Sequence, residues 1–394
     1  MPREVWVLGI VSLLTDMSSE LVHSLLPLYL VSTLGASMLL VGALDGAAEF
    51  VALLVKTFSG RLSDLSGRRK PLVLLGYGLS AVTKPFFPLA DSIALVVSAR
   101  LIDRTGKGIR GAPRDALISD VTEPAQRGAA FGLRQSLDTV GAVLGPLLAI
   151  GGMIYFASDV RTVLWVAVIP GAVGVLLIAL LVREPEVQTP HAPLSAANGR
   201  RARISTAFAE LGRAYWRLVL FGALLMFARG TEAFLVLRAS NVGLADTWTP
   251  LTLVIMSLAY ALTSWPAGHL SDRMPRERLL VLGLVVLIVS HMLLSLSTNV
   301  VWILGGTALW GVHMGLTQGI ISAMLADRSP KALRGTAFGV YATASGVALL
   351  ASGAVGGLLW QRVSPGATFM MGAIVGLIAL LALRPVSVPP SLRG

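Results

Sequence analysis

Cysteine is absent from the 394 residues, which excludes disulfides and thiolate metal sites and leaves no redox signal. Charge is also scarce. Asp, Glu, Lys and Arg make up 13% of the chain against 55% apolar residues, with 41 glycines and a mean hydropathy of +0.76. Water could not keep such a surface dissolved, whereas lipid-facing helices with glycine at their contacts require that balance. A large soluble domain is excluded. The chain has no GxxxxGK[ST] phosphate loop, no HExxH pair and no GxSxG turn, so nucleotide hydrolysis, zinc hydrolysis and serine nucleophile chemistry have no visible means. No enzyme activity and no cofactor are expected. The histidines that fall in apolar runs, His23, His291 and His313, are too scattered to argue a metal centre.

What is present is a duplication. GRLSDLSGRRK begins at Gly60 and GHLSDRMPRERLL at Gly268, and SDVTEPAQRGAAFG ending at Gly132 is matched by ADRSPKALRGTAFG ending at Gly339. Both pairs are separated by about 207 residues, so the chain reads as two related halves. Between these anchors lie apolar stretches of roughly 20 to 25 residues, the length that crosses a hydrocarbon core of about 30 Å. The pattern predicts an all-α integral membrane protein with twelve helices: 5–30, 37–58, 71–89, 92–118, 129–156 and 162–181, then 214–238, 249–269, 278–297, 301–325, 334–358 and 366–383. The expected domains are an N-terminal six-helix bundle over 1–182, a linker over 183–213 and a C-terminal six-helix bundle with a short tail over 214–394. The linker is rich in Pro, Ala, Ser and Arg, and its last part reads as a short amphipathic surface helix.

The N-terminus lacks a small-residue cleavage site and runs directly into further membrane sequence, so it reads as a first spanning helix. Basic residues set the orientation. Arg61–Lys70, Arg127, Arg183–Arg213, Arg273–Arg278, Arg328–Arg334 and the tail from Arg384 carry most of the loop positive charge, while the connections near Asp91, Asp159 and Thr298 are nearly bare. Both termini are expected in the cytoplasm, on a multi-pass protein of the cell membrane. Topology accounts for the net charge of +11, and no nucleic-acid partner is expected.

Gly60–Lys70 resembles the loop motif between helices 2 and 3 of the major facilitator superfamily, and Gly268–Arg278 resembles its degenerate copy between helices 8 and 9. The run Arg104–Gly108 is similar to that family's helix-4 arginine motif. GAVLGPLLAIGG, Gly141–Gly152, resembles the helix-5 motif of its drug and other proton-coupled antiporters. Lys107 stands where drug exporters often carry glutamine. The resemblance covers the whole chain and implies alternating access between two rocking bundles. It further implies proton-coupled export of a small organic or amphiphilic compound. An alternative is uptake or exchange of a polar anionic solute, favoured if the helix-4 cations open unpaired into the cavity. A third reading is a transporter-like sensor.

Individual residues divide among three expected roles. Asp16, Glu20 and His23 lie at spacings of four and three on one helix face, and a lipid-facing charge there is costly, so they are expected to face a central cavity. Glu20 and Asp16 are the expected proton carriers, with Arg104 paired to a helix-1 acid and losing that partner during transport. Substrate contact is expected from His23, Arg100, Lys107, Arg134, Asp138, Arg229, Glu232, His313 and Gln318, with Phe227, Phe234, Trp265 and Trp310 as apolar wall. Gating falls to Gly60, Asp64, Gly67, Arg68, Arg110, Arg114 and Asp272 at the inner loops. It also falls to Gly141, Gly145 and Pro146 in helix 5, where close packing and a lost backbone donor allow a bend. Arg110, Arg114 and Asp115 are expected to act near the surface. Protons, a small-molecule substrate and membrane lipid are the expected partners, and one chain supplies a whole pathway, so a functional monomer is expected.

Overall fold

The computed structural model describes residues 1–66, 68–182, 211–271, 273–330 and 333–383. Among the described residues, twelve helices form the spans. The first six are α1 (Arg3–Leu28, prolonged by a π turn over Tyr29–Thr33), α2 (Met38–Ser66), α3 (Lys70–Thr83, resumed over Phe86–Leu89), α4 (Ile93–Val121), α5 (Arg127–Tyr155) and α6 (Val160–Val166 with Val168–Leu181). The second six are α7 (Arg213–Arg229 with Ala233–Asn241), α8 (Leu251–Ser271), α9 (Arg276–Leu296), α10 (Val300–Asp327), α11 (Arg334–Arg362) and α12 (Pro365–Ala382). Eleven are long and apolar enough to span by composition, and α4 is the exception because its middle carries charge. The expected linker helix lies outside the described residues.

Helix ends follow local chemistry. Ser92 accepts from the Leu95 N–H to start α4, Asn299 from Val301 to start α10, and Ser364 from Ala367 to start α12. Three interruptions depart from the predicted spans. Pro85 cannot donate a backbone hydrogen bond, and α3 breaks at Lys84–Pro85. A break at Ala167 divides α6. Gly230 adopts φ +74°, a left-handed conformation that ends the first part of α7 in mid-membrane.

Each half packs its six helices together, through α1–α5, α1–α6, α2–α4, α3–α4 and α3–α6 in the first and α7–α11, α7–α12, α8–α10, α9–α10 and α9–α12 in the second. The halves meet along two seams, α2–α11 and α5–α8. In the first seam backbone touches backbone: a Cβ on Gly42 would stand 2.1 Å from the Gly353 carbonyl oxygen, one on Gly46 2.6 Å from that of Leu349, and one on Gly357 2.3 Å from that of Met38. The seam continues to Thr57 against Gly339. A shared apolar core joins Leu21–Leu30 of α1 to Ala233–Leu237 of α7, at the end away from the termini. The corresponding core at the terminus-bearing end, around Val5, Leu8, Tyr77 and Leu117, contains only first-half residues. The bundles are therefore closed against each other mainly at the far end.

Candidate functional site

Charges of α2 and α4 form a ladder in the middle of the first bundle. These helices run parallel, so residues four apart on one meet residues four apart on the other: Arg100 Nη2 lies 3.5 Å from Asp45 Oδ1, and Arg104 Nη1 lies 3.1 Å from Glu49 Oε1. Both arginines are buried. Behind them Lys84 Nζ donates to Asp103 Oδ1 at 2.9 Å and to Ser19 Oγ at 3.0 Å, with both charged side chains sealed from solvent. The expected pairing of Arg104 with a helix-1 acid is corrected here. Helix α2 supplies the carboxylate, because Glu49 sits at the level of Arg104 in the parallel register.

One histidine connects the two bundles. His23 Nδ1 lies 3.3 Å from Glu20 Oε2, its Nε2 lies 3.4 Å from Asp45 Oδ1, and Nδ1 is also 3.8 Å from Glu232 Oε2 across the interface. Asp45 makes a second crossing, its Oδ2 accepting from the Ala233 N–H at 3.4 Å. That amide begins the second part of α7, where unpaired N–H groups and the helix dipole favour a carboxylate. The break at Gly230 creates this helix start. Three acids and one imidazole from α1, α2 and α7 thus gather at the closed end of the interface.

Toward the terminus-bearing end, Asp16 Oδ1 lies 3.8 Å from Arg110 Nη2. Arg110 is buried, donates to Ser80 Oγ at 2.7 Å and stacks 4.5 Å from the Tyr77 ring centre. Arg114 donates to Ser12 Oγ at 2.8 Å and also pairs with Asp115. The surface placement expected for these arginines is therefore corrected: polar groups of α1 and α3 hold them inside the bundle. Arg134 bridges Asp138 at 3.1 Å and Asp115 at 3.5 Å. Lys107 is exposed and within electrostatic reach of Asp16, Glu20 and Glu49.

The helix-5 glycines press on α1. A Cβ at Gly141 would lie 2.5 Å from the Leu13 carbonyl oxygen, and one at Gly145 2.7 Å from that of Met17. Pro146 is buried within the continuous helix α5. Gly60 approaches Ala112 of α4, where a Cβ would stand 3.1 Å from the alanine methyl. Arg68 is exposed. The Asp64 side chain, Gly67 and Asp272 lie outside the described residues. Neighbouring loop residues are placed: Arg69 Nε donates to Asp120 at 2.5 Å, and Arg276 pairs with Asp327. Both members of the second pair follow their counterparts by about 207 residues, so one arginine–aspartate clasp onto the end of the fourth helix occurs in each half.

The second bundle carries fewer central charges. Arg229 stacks over Trp310 with its guanidinium carbon 5.6 Å from the ring centre, while Trp310 Nε1 donates to the Arg229 carbonyl. His313 is buried, with Nδ1 2.9 Å from the Gly283 carbonyl oxygen. At the same offset the first half places Gly76 against Gly106, so His313 occupies a helix-crossing position. His291 and Trp310 likewise stand where the first half has Lys84 and Asp103. Gln318 is half-buried on α10. Of the expected aromatic wall, Phe234 is buried and stacked on Trp360 at 5.6 Å, Trp310 is buried, Phe227 is half-buried and Trp265 is exposed.

Asp45, Glu49, Lys84 and Asp103 were not among the expected site residues, although the geometry makes them central. The signal was present. Asp45 and Glu49 are four apart in an otherwise apolar span, the same spacing as Arg100 and Arg104.

Two six-helix bundles related by duplication, with ionisable groups gathered between them, define a membrane carrier. The Major Facilitator Superfamily profile matches residues 8–251 and 233–394, and the chain belongs to that superfamily. It is 28% identical over 387 residues to an uncharacterized MFS-type transporter of Methanocaldococcus jannaschii, covering 97% of this chain and 94% of that one. It is 30% identical over 392 residues to an uncharacterized protein of Mycobacterium tuberculosis, covering 98% and 93% respectively. The solved nucleoside transporter NupG has the same fold, with a TM-score of 0.80 at 14% identity over 98% of this chain and 100% of that one. Membership of that superfamily makes the protein a multi-pass secondary-active transporter of a small solute that works by alternating access.

Proposed function

We propose that the protein exports a small organic or amphiphilic compound in exchange for protons, with the Glu20–His23–Asp45–Glu232 cluster as the coupling site. The observation that carries this reading is the position of His23 between acids of both bundles. Charge attraction there holds α7 against α1 and α2. Adding a proton to one carboxylate removes a negative charge from the cluster and weakens that hold, and losing the proton restores it. Proton occupancy and opening of the far side are thereby linked, because the proton binds the two conformations with different affinity. Asp16, paired with Arg110, is the second carboxylate on this route.

Export is favoured by the helix-5 motif resembling that of antiporters, whose glycines pack directly on the helix bearing Asp16 and Glu20. The moving bodies are the bundles of 1–182 and 214–394 joined by 183–213, and a single chain carries the pathway. The basic loops and both termini face the cytoplasm. The side away from the closed end is then the inner one, with Arg68 and the two clasps acting on inner closure. In that setting Arg100, Arg104, Arg110 and Arg114 each lie beside a carboxylate, which argues against the helix-4 arginines as a bare anion-binding face.

The test is internal pH in vesicles of purified protein as lipophilic cations, organic anions and zwitterions are added in turn. A substrate-triggered pH change in the wild type, lost in Glu20→Gln while binding of the same compound persists, is expected. Substrate movement with the same pH dependence in wild type and Glu20→Gln would remove Glu20 from the coupling role.

A further inference from the structure

Arg229 lies in the middle of the second bundle, and among the described residues no carboxylate comes within 4 Å of it, whereas Arg100, Arg104, Arg110, Arg114 and Arg134 each have one. Its Nε is buried without a hydrogen-bond partner. The cause is visible in the backbone. Glu232 follows Arg229 by three residues, and in a continuous helix the two side chains would be neighbours. The turn at Gly230, with φ +74°, separates them: Glu232 goes to His23 of the other bundle, and Arg229 stays over Trp310.

Two side-chain atoms beside Arg229 also lack partners. It lines a recess with Thr231, His291, Trp310, Ser352 and Phe369. Thr231 Oγ1 and His291 Nδ1, like Arg229 Nε, are buried there without a hydrogen bond. The Arg229 N–H and the Thr231 hydroxyl are donors, and the ring faces supply an apolar wall. A lone cation in a membrane interior is costly and is stabilised by an anion that accepts its hydrogen bonds.

We infer that Arg229 and Thr231 form the head-group site for an organic anion. This names the substrate class and rests on the transport reading above. The helix break therefore serves both bundles, sending an acid to the coupling cluster and leaving a cation for the ligand. A guanidinium takes a carboxylate, sulfonate or phosphonate through paired N–H donors, which an ammonium or neutral amide cannot accept in that way.

The test is ligand-induced thermal stabilisation of the purified full-length chain. The probes are a series of arylcarboxylates, arylsulfonates and arylphosphonates, each paired with its neutral amide and its arylmethylammonium counterpart. Stabilisation of the wild type by anions and not by their counterparts is expected. Half-saturation should weaken at least tenfold in Arg229→Gln and severalfold in Thr231→Val, with partial recovery in Arg229→Lys. Equal stabilisation by the ammonium compounds, unchanged anion affinity in both Arg229→Gln and Thr231→Val, or no effect of any anion on the wild type would overturn the assignment. Because binding is read without flux, the two readings fail separately. Anions that bind without moving protons sink the coupling and leave this site, whereas proton flux triggered only by cations does the reverse.

Discussion

At the scale of single residues, the first bundle is held by charges that cannot be removed one at a time. Lys84 and Asp103 are both buried, and truncating either leaves the other ionised or desolvated without a partner. Lys84→Met is expected to destabilise the protein by about 3–5 kcal/mol, read as a lower unfolding midpoint in detergent. The double variant Lys84→Met/Asp103→Leu should recover most of the loss. A single variant as stable as the wild type would contradict this account. The presence of intramembrane charge was legible in the sequence, and so was its inward direction, since lipid cannot accept it. Partner choice was not. Arg104 finds Glu49 and not a helix-1 acid because α2 and α4 lie parallel, and that relation depends on tertiary packing.

At the scale of elements, the span boundaries followed from length and hydropathy, while the interruptions did not. The break in α7 rests on a single glycine, flanked by Arg229 and Thr231, whose φ of +74° no sequence period reports. Gly230→Ala places a Cβ in a conformation that L residues rarely adopt. The expected outcome is a straighter α7, with Glu232 drawn back toward Arg229. Site-directed cross-linking should then show looser contact between Glu232 and His23; unchanged cross-linking would mean that the break persists for another reason. The α2–α11 seam is equally sensitive. Gly353→Val would drive a branched side chain into the Gly42 backbone, and it is expected to lower stability and suppress transport. Full transport by that variant would show that the backbone contact is dispensable.

For the whole molecule, duplication gave both halves one architecture while leaving their interiors unlike. The repeated sequence anchors made the two bundles legible, and the paired clasps Arg69–Asp120 and Arg276–Asp327 preserve that symmetry in three dimensions. The centre is asymmetric, since His291 and Trp310 replace Lys84 and Asp103. If an organic anion leaves while a proton enters, both movements carry charge in the same electrical sense. A potential contributes about 2.3 kcal/mol per charge per 100 mV. Export from the side made electrically negative should therefore accelerate when a potassium diffusion potential is imposed on vesicles. Transport indifferent to that potential would rule out this charge balance.

The glycine seam between α2 and α11 has a mechanical corollary. Residues 42 and 353, 46 and 349, and 38 and 357 touch in one unbroken antiparallel register, and backbones so close cannot slide past each other without collision. What remains is a swing about that line, as of a door on its pin. Displacement then grows with distance from the pin, so spin labels on α5 and α8 should record the largest excursions and labels across α2 and α11 almost none.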